Sequence, residues 1–260
     1  MGCINDNRTN YSDHDIQEES KLRKFEEEIG AYTRCLNNIL PRVCIEKEVI
    51  PIANVENIIM NDFTPAFVNF LQQGFFFKEV NGVKYYDARK IDLLLFLLTN
   101  DSEITNSKVS YQCKASFVFT MVKTRDDQNL NEPLEENEEN FVKFVEDVVE
   151  IACVGIPDSY IKLKNITNEG MLPKLKEVRA DIVKRIITDL FFTKDKHASV
   201  SLSFQELNDK FESDHYLLTA GFVREYGWRI LQDGKGNQME KEKLEKETKE
   251  TKETNQKTSN

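Results

Sequence analysis

The segment Asp195-Lys196-His197-Ala198-Ser199-Val200-Ser201-Leu202-Ser203-Phe204-Gln205-Glu206 carries residue types at the spacing of a twelve-residue calcium loop. Such a loop wraps a hard dication in oxygen donors at positions 1, 3, 5, 7 and 9, closes with a bidentate Glu at 12, and turns sharply on Gly at 6. Counted from Asp195, Ser199 falls at 5, Ser203 at 9 and Glu206 at 12. Leu202 falls at 8, where an apolar residue lets two loops pair through a short ribbon. Two positions depart from this chemistry. His197 replaces an oxygen ligand at 3, and Val200 replaces Gly at 6, where a β-branched side chain resists positive φ. The expected metal site (Asp195, Ser199, Ser203, Glu206) is therefore weak or vestigial for calcium.

A second candidate loop follows Val118 to Val122. Counting from Lys123 puts Arg125 at 3, Asp127 at 5, Gln128 at 6, Leu130 at 8 and Leu134 at 12, a set that cannot hold a dication. The alternative is a longer loop, with Leu134 as the ribbon residue and Glu138 as the last ligand. Residues 126–139 hold Asp126, Asp127, Glu132, Glu135, Glu136, Glu138 and Glu139 with no Lys or Arg, which also suits a solvated acidic loop. Asp233-Gly234-Lys235-Gly236-Asn237 lacks a Glu at the right step and reads as a turn.

Other chemistry is missing from the sequence. His14, His197 and His215 are scattered, no H-E-x-x-H occurs, and the glycines build neither a phosphate loop nor a nucleophile elbow. Cys3, Cys35, Cys44, Cys113 and Cys153 form no C-x-x-C pair and read as reduced thiols, not a disulfide framework or zinc site. A non-enzyme with no cofactor beyond weak calcium is the expectation. Acidic residues outnumber basic ones 45 to 35, which argues against binding nucleic acid through its phosphates. The longest apolar run, Leu93 to Leu98, is far too short to span a bilayer, so a cytoplasmic protein is expected.

Helices must position these loops. Leu22, Phe25, Ile29, Tyr32, Leu36 and Ile39 recur at steps of three and four, a stripe that Pro41 stops. Thr64-Pro65 starts a helix carrying Phe67, Val68 and Leu71, followed by the aromatic run Phe75 to Phe77. Asn81-Gly82 signals a turn, and a helix apolar nearly all round opens at Asp87 or Ala88 and runs through Leu98. Further helices are predicted around 114–122, around Phe141 to Ile151, along Val178, Ile182, Ile186 and Leu190, and over Phe204 to Phe211. Gly155 and Pro157 read as a break. Strand is confined to three-residue pieces such as Lys84 to Tyr86 and Val200 to Leu202. The expected class is all-α: paired helix–loop–helix units with short ribbons between loops. Residues 1–20 form a flexible tail, 21–103 an N-terminal helical lobe, 104–232 a C-terminal lobe, and 233–260 a disordered Lys/Glu-rich tail.

The order of these features is informative: turn Asn81-Gly82, aromatic pair Tyr85-Tyr86, buried helix Ile91 to Leu98, helix Phe117 to Val122, acidic loop, helix Phe141 to Ile151, then loop Asp195 to Glu206. Over about residues 75–232 it resembles the last three hands of the calcineurin B-like and neuronal-calcium-sensor (recoverin-like) EF-hand proteins. The chain departs from that family in its missing ligands and in the 72 residues separating Lys123 from Asp195, which imply an insert centred on Pro157 to Pro173. The resemblance implies a paired-hand fold and partner binding.

Met1-Gly2-Cys3 adds a lipidation signal, with Gly2 open to myristoylation and Cys3 to palmitoylation, although Asp6 replaces the preferred Ser or Thr. Several proteins of the resembled group are acylated at Gly2. The leading expectation is a non-catalytic, largely calcium-insensitive adaptor, tethered to the inner face of a membrane, that grips a partner's amphipathic helix. Phe75, Phe76, Tyr85, Tyr86 and Phe96 are the expected groove. The alternatives are a structural helical protein of cytoskeleton or cilium, and a calcium sensor or buffer using the 195–206 loop.

Overall fold

In the computed structural model, the residues described are 13–30, 49–52, 65–98, 114–123, 132–166, 170, 172–191, 201–213 and 219–233. Helices dominate, joined by a few short antiparallel strand pairs.

In the N-terminal part, helix α1 (Asp13–Gly30) buries the stripe Leu22, Phe25 and Ile29. It starts inside the segment expected to be a flexible tail, because Glu18 and Glu19 are drawn into contacts with residues distant in sequence. Strand β1 (Val49–Ile50) precedes helix α2 (Pro65–Leu71), whose Phe67, Val68, Phe70 and Leu71 are buried. Strands β2 (Phe77–Val80) and β3 (Val83–Asp87) form a two-residue hairpin. Asn81 (φ 52°) and Gly82 (φ 76°) both take the left-handed conformation that a tight hairpin of this twist requires. The sheet order is β1-β3-β2, with Ile50 opposite Tyr86. An all-α reading thus misses β2: its Lys78 and Glu79 face solvent, so no apolar alternation marks it.

Helix α3 (Ala88–Leu98) starts where Asp87 Oδ1 accepts from the Lys90 N–H at 3.2 Å, an N-cap. Ile91 and Leu93 through Leu97 are all buried, as its apolar circumference demands. Helix α4 (Lys114–Val122) leads towards strand β4 (Leu134–Glu135), which is followed by helix α5 (Glu139–Glu150).

The expected break at Gly155 and Pro157 does not occur. A π-helical turn (Ile151–Gly155) carries α5 directly into helix α6 (Ile156–Lys164). The Ile156 N–H reaches back to the Ile151 carbonyl, and Pro157 falls in the first turn of α6, where a missing N–H costs little. Asn165, in the left-handed conformation, caps the end of α6. Helices α7 (Leu172–Glu177) and α8 (Arg179–Phe191), strand β5 (Ser201–Leu202) and helix α9 (Phe204–Ser213) follow. A last helix, α10 (220–233), was not apparent from the sequence, since two glycines and a buried arginine interrupt its apolar stripe. The buried residues form one continuous core. No described helix is long and apolar enough to cross a membrane.

Candidate functional site

The two late loops meet. Strands β4 and β5 pair antiparallel, with Leu134 opposite Leu202 and Glu135 opposite Ser201. Both leucines are buried. The helices pair crosswise around this ribbon: α4 packs on α9 and α5 packs on α8. Phe119 meets Phe204 edge-on at 5.5 Å in the first contact, and Phe141 meets Phe191 at 5.6 Å in the second. The N-terminal unit repeats the plan, with β1 against β3 and α1 against α3.

The ribbon decides between the two ways of counting the acidic loop. If Leu202 is eighth from Asp195, its partner Leu134 is eighth from Asp127, and Glu138 is twelfth. That register aligns Asp127, Asn129 and Asn131 with positions 1, 3 and 5, and Glu135 with 9, leaving Glu132 where Gly is expected. The D-x-N-x-N run is hidden by the count from Lys123 and belongs to the alternative count that ends at Glu138. Asp127, Asn129 and Asn131 lie outside the described residues, as do Asp195 and Ser199, and Gly2 and Cys3.

At the described ends of these loops, protein groups occupy the carboxylates. Glu138 Oε2 accepts from Lys123 Nζ at 2.9 Å and from the Glu135 N–H at 3.4 Å. Glu206 Oε2 accepts from the Ser203 N–H at 2.8 Å and the Ser203 hydroxyl at 2.6 Å, while Ser203 Oγ accepts from the Glu206 N–H at 3.3 Å. That reciprocal pair is a capping box starting α9. The hydrogen bonds from Ser203 hold the Glu206 carboxyl below its usual range. In the N-terminal unit, the same count from Tyr86 puts Lys90 at the last-ligand position. Its ammonium donates to the Phe75 carbonyl at 2.9 Å and lies 4.3 Å from the centre of that ring. Among the described residues, no group of three His, Cys, Asp or Glu is arranged to hold a metal ion.

The expected groove residues divide. Phe76, Tyr86 and Phe96 are buried, and Phe75 and Tyr85 are half-buried. Phe76 packs against Phe70 at 5.3 Å, and Phe96 stacks on Phe117 at 4.8 Å. In this conformation those rings are core, not an open cleft.

Sequence reasoning missed a buried ionic cluster. Arg224 on α10 has no solvent exposure, and all five of its N–H groups are used. It donates to Glu19 from Nε (3.0 Å) and Nη2 (2.9 Å), to Glu26 from Nη1 (2.6 Å) and Nη2 (3.0 Å), and to the Ala152 carbonyl from Nη1 (3.2 Å). Ala152 lies five residues before Pro157, whose absent N–H leaves that carbonyl without its π-helical donor. Arg23 also donates to Glu19 at 3.0 Å, so two cations balance two carboxylates. Burial opposes ionisation of Glu19, but Arg224 and Arg23 outweigh it and hold the carboxyl below its usual range. At Glu26 burial prevails over Arg224, aided by repulsion from Glu19, and the carboxyl is raised. Burial also pushes the Cys153 thiol up to about 12, which leaves it protonated and unreactive at neutral pH. No sequence signal joins residues 205 positions apart, so this cluster could only be found in three dimensions. Comparisons with family models, with curated proteins and with solved structures return no match.

Proposed function

We propose that this chain is a non-catalytic adaptor built from EF-hand-like pairs, largely insensitive to calcium, that holds an amphipathic helix of a partner protein. In this reading acyl groups on Gly2 and Cys3 tether it to the cytoplasmic face of a membrane. The observation that carries the reading is the Leu134–Leu202 ribbon with helices crossed around it. An unrelated bundle has no reason to bring these two distant loops together, which weighs against a purely structural helical protein. Calcium insensitivity is supported by Lys123 on Glu138, by Lys90 at a ligand position, and by the work of Glu206 as a cap. A tethered ammonium supplies the positive charge that a dication would otherwise bring to the loop.

The ribbon register favours one second reading, calcium sensing or buffering through the 127–138 loop instead of the 195–206 loop. Calorimetric calcium titration tests both. The adaptor reading predicts affinity no tighter than the weak end of about 10⁻⁴–10⁻³ M. Micromolar binding lost in Glu138→Gln and kept in Glu206→Gln would replace it with the second reading. Co-purification from the native cell, with and without a chelator, tests the partner: the same protein should be held in both conditions.

A further inference from the structure

The segment between the two hands of the C-terminal unit lies on the N-terminal unit. Helix α6 packs against α2 and α1. Tyr160 seats on Phe25 with ring centres 5.0 Å apart, and Phe25 in turn meets Phe70 at 5.6 Å. Ile156, Pro157, Ser159 and Tyr160 are buried. Gly155, just before α6, meets the Phe75 ring so closely that a Cβ there would lie 2.4 Å from the nearest ring carbon. Lys162 Nζ donates to the Gln73 carbonyl at 3.5 Å, and Lys164 lies 3.9 Å from Glu28 and 5.8 Å from the centre of the Phe25 ring. Phe75, one of the two half-buried members of the expected groove, is thus covered by the chain itself.

We propose that α6 is a built-in occupant of the apolar face made by α1 and α2, and that a partner's amphipathic helix docks there by displacing it. This rests on the adaptor reading above. The occupant defines the partner's chemistry: a small residue to pass the Phe75 ring, an aromatic residue to seat on Phe25, and a cation one turn later facing Glu28. Two features make α6 the part that yields. The Ser159 hydroxyl is buried without a hydrogen-bond partner, a cost to docking that undocking relieves. The π turn before α6 replaces regular α-helical bonding at the point where the helix would swing.

Two measurements on the full chain test this. The first is native-state hydrogen exchange read by mass spectrometry. Amides of 158–164 should exchange at least about tenfold faster than those of 20–29, through an opening that leaves α1 protected. Exchange of both segments in step at every denaturant concentration would overturn the proposal. The second uses a labelled synthetic peptide of residues 150–166 and fluorescence anisotropy. A chain carrying Ile156→Asp and Tyr160→Asp should bind the peptide at least about tenfold more tightly than the wild type, whose face is filled. Equal affinity, or no binding by a variant with native circular dichroism, would contradict it. If the double variant does not fold, the exchange measurement decides alone. A cellular partner captured by a chain whose α6 never opens would sink this inference and leave the adaptor reading standing. An α6 that opens and is replaced by peptide, in a chain that holds no cellular partner, would overturn the adaptor reading and with it the docked partner, leaving only a displaceable α6.

Discussion

Arg224→Met should be among the most damaging single substitutions in the described chain. Methionine keeps much of the side-chain length but removes five N–H groups and a positive charge, leaving Glu19 and Glu26 buried opposite each other. Removing one partner of a buried ion pair costs roughly 3–5 kcal/mol. At about 2–4 °C per kcal/mol for a chain of this size, Tm should fall by about 6–20 °C. Lys should rescue poorly, because three donors from a point charge cannot reproduce two bidentate contacts and a carbonyl bond. The pH dependence follows from the signs of the shifts. Glu26 is raised in the folded state, so its stabilisation is full below the ordinary carboxyl value of 4.5 and is lost as pH rises through its folded value. Glu19 is lowered, so its stabilisation is present above 4.5 and is lost as pH falls through its folded value. The two oppose each other in the wild type. Without Arg224, Glu26 loses its main counter-charge and is raised further while Glu19 keeps only Arg23, so both carboxyls move up and the variant should regain stability towards acid pH. Differential scanning calorimetry of Arg224→Met between neutral and mildly acid pH is the assay. A loss under about 2 °C at neutral pH, or no relative recovery in acid, would refute the view that this cluster clamps α1 to α10. Replacing Glu19, Glu26 and Arg224 together by apolar residues should restore much of the loss, since a well-packed apolar set often matches a buried ion pair.

Other expectations are simpler to state. Leu202→Ala and Leu134→Ala should each cost about 2–5 kcal/mol in denaturant unfolding, whereas the exposed Val83→Ser should stay within about 0.5 kcal/mol. The two leucine losses should fall short of additivity in a double-mutant cycle; full additivity would mean the residues do not touch. Cys153 should resist alkylation in the native protein and label fully in denaturant when mapped by mass spectrometry; rapid native labelling would contradict its raised thiol. Cys3→Ser should release the protein from membranes almost as fully as Gly2→Ala, because one myristoyl chain binds only marginally and residues 4–20 hold no Lys and only Arg8 among five acidic groups. A wild type found wholly in the soluble fraction would remove the anchor.

Much of the helical framework was legible because its signals are local. The apolar run Leu93 to Leu98, too dense for an amphipathic helix, marks a buried one, and the stripe Ile182, Ile186, Leu190 marks a face turned to the core. The Leu202 ribbon was legible too, since the spacing from Asp195 to Glu206 assigns it a position whose partner must lie in the other loop. What stayed hidden depends on context. Strand β2 exists because Asn81-Gly82 folds it onto β3, not because its own residues alternate. The helical run through Gly155 and Pro157 needs a π turn, whose spare carbonyl is answered by Arg224 from the far end of the chain. The count of the acidic loop needed one fixed point, and Lys123 was the wrong one: it ends the entering helix and reaches forward to Glu138. The groove residues were chosen for their aromatic character, which cannot distinguish a lining from a filling; Phe76, Tyr86 and Phe96 are filling.

The most direct test of paired, calcium-independent loops is a single nuclear magnetic resonance experiment on the full chain with calcium chelated and then restored. Paired loops require cross-strand contacts between the Leu134 and Leu202 backbones in the chelated sample. Calcium independence requires that those contacts, and the Glu135 and Ser203 amide shifts, stay unchanged when micromolar calcium is added. Absence of the cross-strand contacts, or their appearance only with calcium, would contradict the account.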